Sequence, residues 1–116
     1  MWSEDERSFL ARLKRAELGH HEFGHREHVR AAWLYLRDRP LEAALDAMRD
    51  ALRRLSAAHG NPERYDEALT RAWVELVAEA MARDGASADF DAFLAANPEL
   101  LEKETGARRA NLRRRQ

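Results

Sequence analysis

Leu41, Leu45, Met48, Leu52 and Leu55 recur at steps of 4, 3, 4 and 3, a seam on one stripe of an α-helix that suits lengthwise packing on a neighbour. Pro40 stands in the first turn, where proline is favoured, and His59-Gly60 closes the helix with glycine in its usual place. A shorter stripe of Val29, Ala32, Trp33 and Leu36 predicts a preceding helix that opens at Glu22 or Phe23 and ends before Pro40. Ser3 followed by Glu6 matches a capping box, so a first helix is expected from there to about Leu18, with Phe9, Leu10 and Leu13 inward and Gly19 as its stop. Downstream, Asn61 should cap and Pro62 start a fourth helix to about Arg83, burying Tyr65, Leu69, Ala72, Trp73, Leu76 and Ala80. Ser87 can cap a short fifth helix carrying Phe90, Phe93 and Leu94, and Asn97-Pro98 punctuates again before PELLEK. Strand alternation, internal repeats and a glycine-rich phosphate loop are all missing from the sequence.

The pattern predicts an all-α, single-domain bundle of about four main helices plus a short C-terminal helix, over residues 1–105. Residues 106–116 read as an arginine-rich polar tail, expected to be frayed or disordered. A chain of 116 residues, 45 % hydrophobic and 35 % charged, agrees with a globular core under a heavily charged surface. Twenty basic against twenty-one acidic residues give no overall pull toward nucleic acid or anionic membrane. The absence of cysteine removes disulfides, thiolate metal sites and cysteine nucleophiles. MWSEDERSFL lacks the basic and apolar regions of a signal peptide, and no apolar run nears the ~20 residues needed to span a bilayer. A cytoplasmic protein is the expectation.

Chemistry concentrates in HHEFGHREH, which holds four of the five histidines in residues 20–28. If the helix includes His21, then His21, His25 and His28 share one face; the pair His25 and His28 needs only a helix begun by Gly24. Two imidazoles at that spacing can meet one ion, and imidazole suits Fe, Zn, Ni and Cu. Glu22 is the nearest local carboxylate, and Glu22-x-x-His25 has the spacing of carboxylate-bridged di-metal bundles. Those bundles need a second such motif, and the chain offers none. Asp66 is the better distant candidate: its face continues through Thr70, Trp73 and Val77 toward the second helix. Two histidines with one carboxylate form the ligand set of mononuclear iron oxygenases and of several zinc sites. Tyr65 and Glu67 flank Asp66 as acid–base or supporting groups. The competing reading makes the histidines ordinary: His20 and His21 solvated, and His25 or His28 hydrogen-bonded in the core.

Phe23 to Leu36, F-G-H-R-E-H-V-R-A-A-W-L-Y-L, resembles a group of small uncharacterised bacterial all-helical proteins with F-x-H-x-x-H followed by Ala-Trp. In that group a second motif follows a glycine turn, approximately Tyr-His-Glu and then Thr, with Trp or Tyr soon after. The matching segment here runs from Gly60 to Trp73 and carries Tyr65, Asp66, Glu67 and Thr70. The likeness extends to Phe90, Phe93, Asn97, Pro98, Leu100 and Leu101. It implies that His25, His28 and residue 66 form the polar constellation. This sequence departs from the group at Asp66, where histidine is expected, and in its arginine-rich end, which replaces a C-terminal extension. The group supplies no chemistry.

Two function classes follow. The first is a small enzyme, with His25, His28 and Asp66 converging between the second and fourth helices and Trp33, Tyr65, Thr70 and Trp73 around a small-molecule ligand or substrate. In one form a divalent metal (Fe, Mn or Zn) bound by His25, His28, Asp66 and Glu22 activates water, dioxygen or a chelating substrate. In the other a histidine and Asp66 transfer protons. The second class is an interaction module, in which the third-helix seam forms a homodimer or docks a partner helix and the His/Asp cluster is a structural knot. Arg108, Arg109, Arg113, Arg114 and Arg115 could meet phosphates, but the acidic body argues against a nucleic-acid partner.

Overall fold

The computed structural model describes residues 3–84 and 89–115. They form six α-helices and no strand: α1 (Glu4–Lys14), α2 (His25–Leu36), α3 (Leu41–Ala58), α4 (Glu67–Asp84), α5 (Phe90–Ala96) and α6 (Lys103–Arg114). Single 3-10 turns stand at His20–Glu22, Pro62–Arg64 and Pro98–Leu101. The all-α, single-domain expectation holds, with more helices than the four main ones and one short one foreseen. No helix among the described residues is long and apolar enough to cross a membrane.

The capping box is present: Glu6 N donates to Ser3 Oγ at 3.1 Å and Ser3 N to Glu6 Oε1 at 2.9 Å, so α1 begins where the sequence placed it. It stops at Lys14, short of Gly19, because Ala16 takes the left-handed conformation (φ 56°). The amides of Ala16 and Glu17 then return to Leu13 O at 3.0 Å and Arg12 O at 2.8 Å, the two bonds of a Schellman closure without its usual glycine. At the other expected stop, Gly60 does supply the left-handed residue, at φ 81° behind α3. Asn61 and Pro62 open only the 3-10 turn, and Tyr65 is extended. Asp66 is the true cap of α4, accepting from Leu69 N at 3.0 Å. The Ser87 cap lies outside the described residues; α5 is capped by Asp89, which accepts from Ala92 N at 2.7 Å.

The α3 seam packs inside this chain. Leu45, Met48, Leu52 and Leu55 are all buried in one core with Leu13, Val29, Trp33 and Phe93, and Leu41 is partly buried against it. α4 is the hub, because α2, α3 and α6 all pack along it. Its buried set therefore joins Thr70 and Val77 of the Asp66 face, and Val74, to Ala72, Trp73 and Ala80, while Tyr65, Leu69 and Leu76 are only partly buried.

The largest departure from expectation is the tail. Residues 103–114 are helical, and α6 docks antiparallel on α4 through small residues flanked by charge. Gly106 and Ala110 are its buried positions. A methyl group built on Gly106 would overlap the Trp73 indole at Nε1, Cε2 and Cζ2, the last at 2.7 Å, so glycine is what lets the two helices approach. On the flanks Arg109 clamps Glu79 through two bonds of 2.5 and 2.9 Å, Arg113 pairs with Glu75, and Arg114 pairs with Asp66. Glu75 is the hub of this ladder, only 15 % exposed. Glu75→Gln is expected to destabilise the protein by about 1 kcal/mol at low salt. The difference should shrink at about 1 M salt, where the Debye length is a few ångströms; urea denaturation at the two ionic strengths checks this.

Candidate functional site

The histidine segment enters α2 later than expected. Gly24 caps the helix, its N–H donating to Glu27 Oε1 at 3.0 Å, so His25 is the first helical residue and His21 lies in the preceding 3-10 turn. The three-histidine face is thereby lost. Glu22 is also otherwise occupied: it accepts from Gly19 N at 3.0 Å and from Arg12 at 2.8 Å. Those two bonds hold its carboxyl below the usual range.

His25 and His28 then face different surroundings. The His25 ring meets the edge of Trp73 at 4.5 Å between centroids. Its Nε2–H donates to Leu100 O at 2.8 Å, joining the start of α2 to the turn that leads into α6. With Nε2 donating, Nδ1 is the ring nitrogen left to carry a lone pair. His28, one turn on, is half-buried, stacks on Phe23 at 5.9 Å, and has an Nε2 closed off from solvent with no hydrogen-bond partner. Burial, with a smaller contribution from nearby His25, lowers its pKa to about 4, so this imidazole is neutral at physiological pH.

His28 lines a cavity of about 300 Å³ between the ends of α2 and α3 and the start of α4. Tyr65, Asp66 and Thr70 line it too, so the structure brings four of the expected site residues together. Phe23, Leu52, Leu55 and Leu69 supply the apolar part of the wall. Thr70 donates to Asp66 O at 2.8 Å. The Tyr65 hydroxyl donates to Glu67 Oε1 at 2.6 Å, and burial followed by that neighbouring carboxylate raises its pKa. Glu67 is gripped by Arg49 of α3 at 2.6 and 2.8 Å, and that guanidinium pulls its carboxyl down to about 2. Glu67 therefore acts behind Tyr65 and is absent from the cavity wall.

The remaining expectations are corrected. Trp73 packs between His25 and α6, and Trp33 packs against Phe90 and Phe93 at 5.5 and 5.9 Å under the Arg37 guanidinium; of the three expected aromatic walls only Tyr65 lines the cavity. Asp66 caps α4 with one oxygen and pairs with Arg114 through the other. His25, His28, Asp66 and Glu22 do not converge, and no group of three or more His, Asp or Glu suited to hold a metal ion exists among the described residues.

Two histidines read as bystanders belong to the cavity. His20 is exposed at its edge, and its ring lies 3.9 Å from that of His59. His59 donates from Nε2 to Leu18 O at 2.9 Å. The sequence signal for His59 was its place in the turn that delivers Tyr65. Comparison with known proteins found no matching family model, no similar curated protein and no similar solved structure.

Proposed function

We propose that this chain is a small-molecule-binding helical domain whose ligand occupies the His28 cavity and hydrogen-bonds to the neutral imidazole. The observation that carries this reading is that His28 lines the cavity while its Nε2, shielded from solvent, has no hydrogen-bond partner in the fold. A buried polar atom left unsatisfied costs about 1–3 kcal/mol, which a ligand donor or acceptor returns on binding. Polar and apolar side chains share the wall, and Asp66, one of its charged groups, is already paired with Arg114, so the neutral His28 ring and the side chains of Phe23, Leu52, Leu55 and Leu69 favour an uncharged group beside them. The favoured ligand is therefore a small, neutral, partly apolar molecule with one hydrogen-bonding group, and about 300 Å³ is at the small end of ligand sites.

Binding is favoured over proton transfer because a base of pKa about 4 lies far from the neutral pH at which general-base catalysis is most efficient. A metal reading has less support, because His25 donates to Leu100 O, both Asp66 oxygens are engaged by Leu69 N and Arg114, and no group of three or more His, Asp or Glu among the described residues is placed to hold an ion.

Phenol and pyrazole serve as probes, followed by the ring ¹⁵N resonances of His28. Saturable shifts are expected at His28, with affinity at least about tenfold weaker in His28→Phe and unchanged in His25→Ala. Equal binding by wild type and His28→Phe would remove the reading. So would a stoichiometric metal found on the His28 ring of protein purified without chelator.

A further inference from the structure

The other end of α2 carries a second concave surface, at its junction with α1 and α3. Tyr35 is 2 % exposed, and its hydroxyl is buried without a partner. Two adjoining depressions of about 510 and 300 Å³ share Lys14, Tyr35 and Arg39; the first adds Arg7 and Asp38, the second Asp50 and Arg54. Four cations thus stand against two carboxylates in depressions that Tyr35 lines.

Most arginines of this chain that are ion-paired are held by an acid on a neighbouring helix or turn, as Arg12, Arg30, Arg49, Arg71 and Arg109 are. In the groove Arg39 is paired instead with its sequence neighbour Asp38, at 3.1 Å. Arg54 donates to the Lys14 carbonyl at 3.3 Å, and Arg7 and the Lys14 ammonium make no ion pair among the described residues. Arg39 lies over the Tyr35 ring, 5.1 Å from its centroid. Burial raises the Tyr35 pKa, which keeps the hydroxyl protonated and able to donate.

We propose that this groove binds a phosphoryl dianion, free or carried on a small organic body, with Arg7, Lys14, Arg39 and Arg54 around it and the Tyr35 hydroxyl as a buried hydrogen-bond donor. The charge excess matches a dianion, and guanidinium forks are the side chains best shaped for phosphoryl oxygens. Leu10, Ala11, Ala47 and Ala51 give the surrounding surface an apolar bed for an organic substituent. This site is independent of the His28 cavity.

The full chain is titrated with inorganic phosphate and with phenyl phosphate at low, fixed ionic strength, by calorimetry and by amide shifts. Saturable binding is expected, with shifts at residues 7, 14, 35, 39 and 54. Tyr35→Phe, a near-isosteric change that removes an unsatisfied buried hydroxyl and so folds at least as well, should weaken binding about tenfold. Lys14→Gln should weaken it severalfold, while Lys103→Gln and His28→Phe leave it unchanged. Tighter binding of phenyl phosphate upholds the site with an esterified ligand; equal binding of the two upholds it with the free ion. Absence of saturation by about 10 mM, well past the ~1 mM that marks a weak specific site, overturns the proposal. Equal affinity of wild type and Tyr35→Phe does the same, since the groove would then be no more than diffuse surface charge.

Discussion

Gly106→Ala is expected to destabilise the protein by about 2–3 kcal/mol, against the sign of the same change in an open helix. At an exposed helical position alanine is favoured over glycine by about 1 kcal/mol. At position 106 the added methyl meets the Trp73 indole, which is 2 % exposed and held from another direction by His25. Neither ring nor backbone can yield cheaply, and overpacking of this kind costs about 1–3 kcal/mol or more. Urea denaturation followed by tryptophan fluorescence measures the change. A double-mutant cycle with Trp73→Phe should be less than additive, because the smaller ring returns some of the space. An alanine variant more stable than wild type would mean that α6 does not rest on Trp73 as described.

Acidification is expected to remove about 3 kcal/mol of stability through His28 alone. Its pKa is about 4 in the fold and about 6.5 in the unfolded chain. Between those values the unfolded chain binds a proton that the folded protein refuses, so stability rises with pH there and falls as pH drops from about 6.5 to about 4. Below about 4 both states are protonated and this loss is complete. The Glu67 window is separate: its carboxyl, held near 2 by Arg49, contributes stability that disappears below about 4.5. In His28→Phe the upper window should vanish while the lower one remains. Denaturation midpoints of both proteins at pH 7, 5.5, 4.5 and 3 decide the matter, and parallel pH profiles would show that His28 is solvated.

The elements that were legible in the sequence are those whose signals are local. The α1 capping box needs only Ser3 and Glu6, and the α3 seam repeats within one helix. The α2 start was displaced because two similar signals lie close together: Glu22 accepts from Gly19 and Glu27 from Gly24, and only the second opens an α-helix. The α6 helix was missed because its signal is relational. GARRANLRRR has almost no apolar stripe of its own, and its docking face consists of a glycine and an alanine. Arg109 and Arg113, four apart, acquire meaning beside Glu75 and Glu79, also four apart on α4.

The site divides along the same line. His28, Tyr65, Asp66 and Thr70 line one cavity because α2 and α4 pack together, an arrangement their helical spacing suggested. Spacing could not show that His25 would be taken by a backbone carbonyl 75 residues away. Nor could it show that Asp66 would be used by a cap and by an arginine from the supposed tail.

The α4–α6 ladder has a consequence for association between copies. The acidic row of Glu75 and Glu79 and the basic row of Arg109 and Arg113 meet in cis, together with the cleft over Trp73 that only a glycine fits. A second copy displays the same acidic row and the same cleft. Whatever loosens α6 therefore uncovers both halves of a complementary pair on every molecule, which is the condition for exchanging a helix between copies. The contacts that close α6 onto α4 within one chain are thus self-complementary between two.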